Sequence, residues 1–227
     1  MTMTARVAIY YAPTADDPLY TASTIWLGRD PVTNAPATQP NIPNIADTTG
    51  DASTYGFHAT LKPPMHLAEG TNWHDFLAAA TKLAATLKPF DLPPLAVMDL
   101  HGFLALRETR PSPELQHLAD VCIEHLDAFR APASAEENAR RRRSPLTPAQ
   151  DAMLVRWGYP YMFETWFFHM TLTRRLSADE KALYKPKAEA HFAEAISLPR
   201  RATDICLFTQ PTQRAPFTIA ERIPLLG

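Results

Sequence analysis

A five-residue phrase occurs twice in this chain: Phe57-His58-Ala59-Thr60-Leu61 and Phe168-His169-Met170-Thr171-Leu172. Four of the five positions are identical, and the histidines stand 111 residues apart. Polar and apolar residues alternate in each copy, which is the period of a half-buried β-strand. Successive strand side chains point to opposite faces, so His58, Thr60 and Lys62 are expected on one face, with Phe57, Ala59 and Leu61 turned to a core. His169, Thr171 and Thr173 are expected together likewise, backed by Phe168, Met170 and Leu172. A base follows each copy: Lys62 after the first, Arg174 and Arg175 after the second. A chain that sets two such strands in matched surroundings is constrained to two related halves.

The flanking pattern fits that constraint. Val7 to Tyr11 reads as a strand, Pro18 to Leu27 as a helix stopped by Gly28, and Gly56 to Lys62 as a strand ended by Pro63-Pro64. Asn72 to Leu87 has helical spacing, and Leu95 to Met98 with Phe103 to Leu106 reads as a strand pair. Ser112 to Phe129 and Thr147 to Trp157 read as helices capped by Ser112 and Thr147, with a polar helix at Ser134 to Arg143 between them, before a strand at Thr165 to Thr173. Ser177 with Glu180 forms a capping box for a helix to Ala195, and Asp204 to Thr209 and Phe217 to Ile223 are the last strands. Asp30 to Ser53 is rich in Pro, Asn, Thr and Ala, and is expected to be a long loop or mobile flap. The unit of strand, helix and two strands thus comes round twice. It predicts an α+β fold of two similar lobes, each an antiparallel sheet with outer helices, around a central cleft. The first lobe is placed at about 1–110 and the second at about 111–227, in one bilobal domain.

Composition narrows the chemistry. The 227 residues suffice for a sizeable core, and a net charge of −2 does not make the whole surface a polyanion binder. The seven glycines match neither a dinucleotide fingerprint nor a P-loop, so NAD and ATP chemistry of the common kinds is not expected. Cys122 and Cys206 lie far apart with no metal-ligand spacing, Met1 to Ala8 lacks the apolar stretch of a signal peptide, and no apolar run reaches membrane-spanning length. A cytoplasmic protein is expected, with no membrane partner, no metal and no cofactor; its oligomeric state is not legible.

Two imidazoles and two hydroxyls on facing strands suit phosphodiester cleavage. An imidazole titrates near pH ~6.5, so one can take a proton from water while the other gives one to the leaving oxygen. Thr60, Thr171, Lys62 and Thr173 would hold the phosphate oxygens. Arg140 to Arg143 could mark a nucleic-acid track, but Glu136 with Arg140 and Glu137 with Arg141 are also spaced as ordinary helix-surface ion pairs.

His-x-Thr-Leu twice, about a hundred residues apart, resembles the two-histidine phosphoesterase superfamily, with its RNA 2',3'-cyclic phosphodiesterases and 2'-5' RNA ligase-like proteins. Tyr10-Tyr11-Ala12-Pro13, Trp26-Leu27-Gly28-Arg29, Tyr55 to Lys62, Phe129-Arg130-Ala131-Pro132, Arg156 to Tyr161 and Phe168 to Thr173 resemble the branch found in phosphonate-utilisation operons. The resemblance spans nearly the whole chain. It implies a metal-independent hydrolase of a cyclic phosphate ester of ribose or a nucleoside, with His58 and His169 catalytic. Tyr11, Arg29, Tyr161 and Arg175 are candidates for the substrate pocket. The alternatives are an enzyme of RNA ends and a nucleotide or phosphonate-metabolite binding protein without turnover. Which histidine is base and which acid depends on how the substrate lies.

Overall fold

The computed structural model describes residues 5–227; the first four residues of the Met1 to Ala8 stretch lie outside them. The fold is α+β. One antiparallel sheet has the strand order β4-β5-β6-β2-β1-β8-β9. Its members are β1 (Arg6–Tyr11), β2 (Ala59–Met65), β4 (Leu95–Leu100), β5 (Phe103–Glu108), β6 (Met170–Thr171), β8 (Asp204–Gln210) and β9 (Thr218–Pro224), while β3 (Phe90–Asp91) and β7 (Arg201–Ala202) pair separately. The helices are α1 (Pro18–Leu27), α2 (Ile45–Tyr55), α3 (Trp73–Ala84), α4 (Pro113–Leu126), α5 (Ala135–Arg141), α6 (Pro148–Trp157) and α7 (Ala178–Ser197).

Helix starts are fixed where the sequence puts caps. Asp17 accepts from the Leu19 amide at 2.8 Å, with Pro18 at the first helical position. Thr147 with Gln150 and Ser177 with Glu180 close capping boxes on α6 and α7. Each such cap contributes about 1 kcal/mol.

The sheet has two unlike faces. One is covered by α1, α3, α4 and α7, and holds the main core, with Trp26, Phe76, Leu118 and Phe192 buried against Val7, Ile9, Leu61 and Leu106. The other carries a smaller cluster of Ala8, Tyr10, Ala12, Cys206, Phe208 and Phe217.

The two motif strands are neighbours and meet through a single residue pair, Ala59 with Met170. That junction divides the sheet into a half of four strands (β2, β1, β8, β9) and a half of three (β4, β5, β6). Two indoles brace it: Trp166 donates to the Thr60 carbonyl at 2.8 Å and Trp26 to the Leu172 carbonyl at 3.0 Å. They satisfy backbone acceptors that so short a ladder leaves open.

Three sequence expectations change. The boundary near residue 110 does not divide the sheet, because β8 and β9 join β1 and β2 while β6 joins β4 and β5. The segment 30–53 is not a loop throughout: α2 begins at Ile45. Its support is polar and distant in sequence, which hydrophobic periodicity cannot register. Thr48 donates to the Tyr184 hydroxyl at 3.0 Å, Gln39 donates to Thr49 at 2.9 Å, and Asp47 pairs with Arg174 at 2.8 Å. Finally, β2 runs on through Pro63 and Pro64. Adjacent prolines turn to opposite sides of the strand: one faces the side that the two-residue β6 leaves unpaired, and the other falls where the β1 register is irregular, between Val7–Met65 and Ile9–Lys62.

Candidate active site

Ala59 and Met170 are paired on the core face, so the residues flanking each emerge together on the opposite face. Continuing the antiparallel register by one residue sets His58 across from Thr171 and Thr60 across from His169. All four side chains are half-buried. The structure therefore brings together the two histidines and two threonines that the repeated phrase singles out, related by a local two-fold through the Ala59–Met170 pair.

Each imidazole is held in the same way. His58 Nδ1 lies 2.8 Å from the Gly56 carbonyl, and His169 Nδ1 lies 3.1 Å from the Phe167 carbonyl, in both cases two residues upstream. A carbonyl only accepts, so Nδ1 carries the hydrogen and Nε2 is left for proton exchange. His58 Nε2 is 3.3 Å from the Thr60 hydroxyl. The Tyr10 ring stacks on His58 at 3.7 Å between centroids, with Phe208 and Tyr55 each at 6.2 Å. Around His169 stand Phe167 at 4.8 Å and Phe103 at 6.1 Å.

Burial among these rings pushes the His58 imidazolium down to about 4; the Gly56 carbonyl opposes the shift and the charge of His169 adds to it. His169 is lowered as well, by burial first, opposed by the Phe167 carbonyl and aided by the Arg107 charge. At pH 7 both rings are neutral. A folded-state value below the ordinary one means the unfolded chain binds the proton first, so stability is lost as pH falls from about 6.5 through about 4. Between pH 7 and pH 5 this one group should cost about 2 kcal/mol, from ~1.4 kcal/mol per pH unit over that window. Urea unfolding at the two pH values should show that loss in the wild type and a smaller one in His58→Gln.

Gly56 sets the approach to His58. Its φ of 77° and ψ of 165° belong to a region that only glycine occupies comfortably. A Cβ there would meet Pro31 at 3.2 Å and the Phe208 ring at 3.3 Å. Gly56→Ala is expected to destabilise the fold by about 1–3 kcal/mol. It should also lower turnover, because the displaced carbonyl is the one that orients His58; unfolding and rate measurements on the same preparation check both effects.

Lys62 and Thr173 do not join the site. Opposite β1, three β2 residues (Thr60, Leu61, Lys62) span two (Tyr10, Ile9), which is a bulge. The extra residue turns Lys62 to the α4 side. There its ammonium is buried, 3.1 Å from Asp127 and 3.4 Å from the Ile123 carbonyl. Thr173 is buried, and its hydroxyl accepts from the Leu104 amide at 2.9 Å, extending the β5 edge.

The candidate pocket residues are also redistributed. Tyr11 pairs with Ala59 in register and so faces the main core, 5.8 Å from Phe168; burial pushes its hydroxyl up, against the opposing charge of Arg200. The neighbour on the histidine face is Tyr10. Arg29 donates to the Ser53 carbonyl at 2.8 Å and so ties down the end of α2, just before Gly56. Arg175 is tied to the His101 carbonyl. Tyr161 is exposed and meets Tyr159 edge-on at 5.6 Å. Arg140 and Arg141 both approach Glu137, at 3.8 Å and 3.3 Å, and Arg142 pairs with Asp151. Glu137 therefore takes the place expected for Glu136, and two carboxylates, Glu137 on α5 and Asp151 on α6, offset part of the basic run. Among the described residues no three His, Cys, Asp or Glu side chains gather as a metal site, and no helix is long and apolar enough to cross a membrane.

A family profile described as protein of unknown function (DUF1045) matches residues 60–218. Two curated proteins named ribose 1,5-bisphosphate phosphokinase PhnN are similar. The one from Janthinobacterium sp. (strain Marseille) is 41% identical over 231 residues, covering 98% of this chain and 51% of that protein. The one from Laribacter hongkongensis (strain HLHK9) is 34% identical over 223 residues, covering 97% of this chain and 52% of that protein. The chain thus spans about half the length of these relatives. Among solved structures, E. coli LigT complexed with NADP+ aligns over 100% of both chains with 14% identity and a TM-score of 0.47. A crystal structure described as a phosphoesterase aligns over 99% of both with 13% identity and a TM-score of 0.45.

Proposed function

We propose, for a chain that belongs to the DUF1045 family, a phosphodiesterase that hydrolyses a cyclic phosphate ester of a pentose, with His58 and His169 as paired base and acid. The observation that carries this reading is the matched pair of imidazoles. Each is fixed through Nδ1 by the carbonyl two residues upstream, and each stands beside a threonine on one sheet face. Binding alone would not call for two identically oriented proton carriers.

His58, neutral at pH 7, takes the proton of the attacking water. The anionic phosphate, once bound, favours the charged form of the partner ring, so His169 is protonated and donates to the leaving ester oxygen. Thr60 and Thr171 hold the non-bridging oxygens, where charge accumulates in the transition state. The products are a phosphate monoester and a free hydroxyl, and proton exchange with solvent then removes the proton from His58 and returns one to His169.

The substrate class is supported by the names of the half-matching relatives, which act on a pentose bisphosphate according to those names. The kinase activity in those names is not carried over, because this chain has no P-loop pattern. A role in phosphonate metabolism is part of the same reading.

The test is hydrolysis by purified protein in chelator, on ribose 1,2-cyclic phosphate, nucleoside 2',3'-cyclic phosphates and a short RNA ending in a cyclic phosphate. Preferred turnover of the ribose ester is expected. Preference for the RNA end would overturn the substrate class, and activity that requires an added divalent metal would overturn the mechanism.

A further inference from the structure

With Lys62 buried against α4, the phosphate of the proposed reaction has lost the cation that the sequence offered it. Another cation lies on the histidine face. In β5 the register pairs Ala105 with Thr171 and Leu106 with Met170, so the next pair sets Arg107 beside His169. Alternation puts Phe103, Ala105 and Arg107 on the face of His169 and Thr171, while Leu104 and Leu106 enter the main core.

The Arg107 guanidinium lies over the Phe167 ring, 5.1 Å from its centroid, and that ring is 4.8 Å from His169. Stacking on an aromatic ring satisfies a guanidinium's face and still lets its N–H groups meet an anion. Arg107 Nε makes one loose ion pair, with Glu108 Oε2 at 3.6 Å. Burial favours the acid form of Glu108, while its backbone hydrogen bond and the charge and hydrogen bond of Arg107 oppose that shift. The side chain is about one-third exposed (35%), so it is neither sealed in the core nor free in solvent. Other arginines of the site region are held more closely: Arg29, Arg174 and Arg175 each meet a backbone carbonyl or a carboxylate at 3.0 Å or less.

We propose that Arg107 is a catalytic residue that grips a non-bridging oxygen of the substrate phosphate beside His169. The inference rests on the reading of the site as a phosphodiesterase. A guanidinium fork matches phosphate oxygens in pairs, so Arg107 and the two threonines together would surround the phosphorus while the histidines work on either side of it.

The experiment has two readouts. Steady-state rates on the best cyclic phosphate should show kcat/KM lowered about 10²–10³-fold in Arg107→Gln, the order found when one oxyanion donor is removed. Independently, titration of inorganic phosphate followed by the His169 ring signals in NMR should show Kd raised about tenfold, the order of one charge-assisted contact. The charged or titratable groups facing His169 are Arg107 from β5 and His58 from the residue just before β2. Removal of the Arg107 charge should therefore raise the His169 titration point, and Arg107→Lys should bring it back while phosphate affinity stays below wild type. Unchanged phosphate affinity in a folded Arg107→Gln overturns the proposal, even if the wild type turns over substrate. Phosphate binding that depends on Arg107, in a protein that hydrolyses none of the esters, upholds the anion contact and overturns the phosphodiesterase reading instead.

Discussion

His58→Ala and His169→Ala are each expected to lower kcat by about 10²–10⁴-fold, the usual worth of one positioned proton-transfer group. Ligand affinity should fall far less, because the threonines and the apolar walls remain. The double variant should be little worse than the worse single one, since two residues that pass protons through one transition state act as a unit. His58→Gln is the better-controlled variant: Tyr10 stacks on the ring at 3.7 Å, and alanine would leave a gap beneath it. A pH–rate profile with two limbs should lose one limb in each single variant. Turnover at wild-type level in either would remove the pair from the mechanism. A protein that binds nucleotides or sugar phosphates equally well with both rings gone, and never turns them over, would be a binding module.

The part of this site legible in the sequence is the part written with period two. His58, Thr60, His169 and Thr171 were readable because each motif strand keeps its alternation through those positions, and because a matched phrase forces matched surroundings. Lys62 was misread two residues further on, where the bulge against Tyr10 and Ile9 breaks the period; a bulge is a property of a strand pair and is invisible in one strand. Tyr11 and Tyr10 were exchanged for the same reason, since only the register with β2 decides which tyrosine lies beside His58. The place of Arg107 on the histidine face is not legible, although Phe103, Ala105 and Arg107 alternate with Leu104 and Leu106. That strand carries no repeated phrase, and only its pairing with β6 brings it to the histidines. The order of strands could not be inferred from spacing either, because β8 returns across the whole length of the chain to pair with β1. Helices were the easier element: caps at Ser112, Thr147 and Ser177 are local chemistry and stand where they were expected. The exception is α2, whose first residue follows Asn44 with no side-chain cap bond and whose support comes from Tyr184, Gln39 and Arg174.

Asp127→Ala is expected to destabilise the protein by about 3–5 kcal/mol, the cost of stripping a buried charge of its partner. The Lys62 ammonium is 1% exposed, and Asp127 is the carboxylate that meets it, at 3.1 Å. Burial lowers the Lys62 ammonium and Asp127 raises it in opposition. Burial alone would raise the Asp127 carboxyl; hydrogen bonds from Arg130 and the charge of Lys62 overturn that and hold it below the ordinary carboxylate range. Removal of the carboxylate leaves Lys62 with only the Ile123 carbonyl at 3.4 Å. Lys62→Met is a different case. It takes away the buried charge itself, fills similar volume, and leaves Asp127 bound to Arg130 at 2.7 Å and 2.9 Å, so its cost should stay within about 2 kcal/mol. Urea unfolding of the two variants should therefore rank them in the opposite order from a surface lysine with a dispensable partner. Turnover divides the readings of Lys62 more sharply still. If the bulge has moved it out of the site, Lys62→Met keeps a near-normal kcat; if Lys62 nevertheless reaches the substrate phosphate, kcat falls with no matching loss of stability, and the bulged register of β2 is then wrong for the working enzyme.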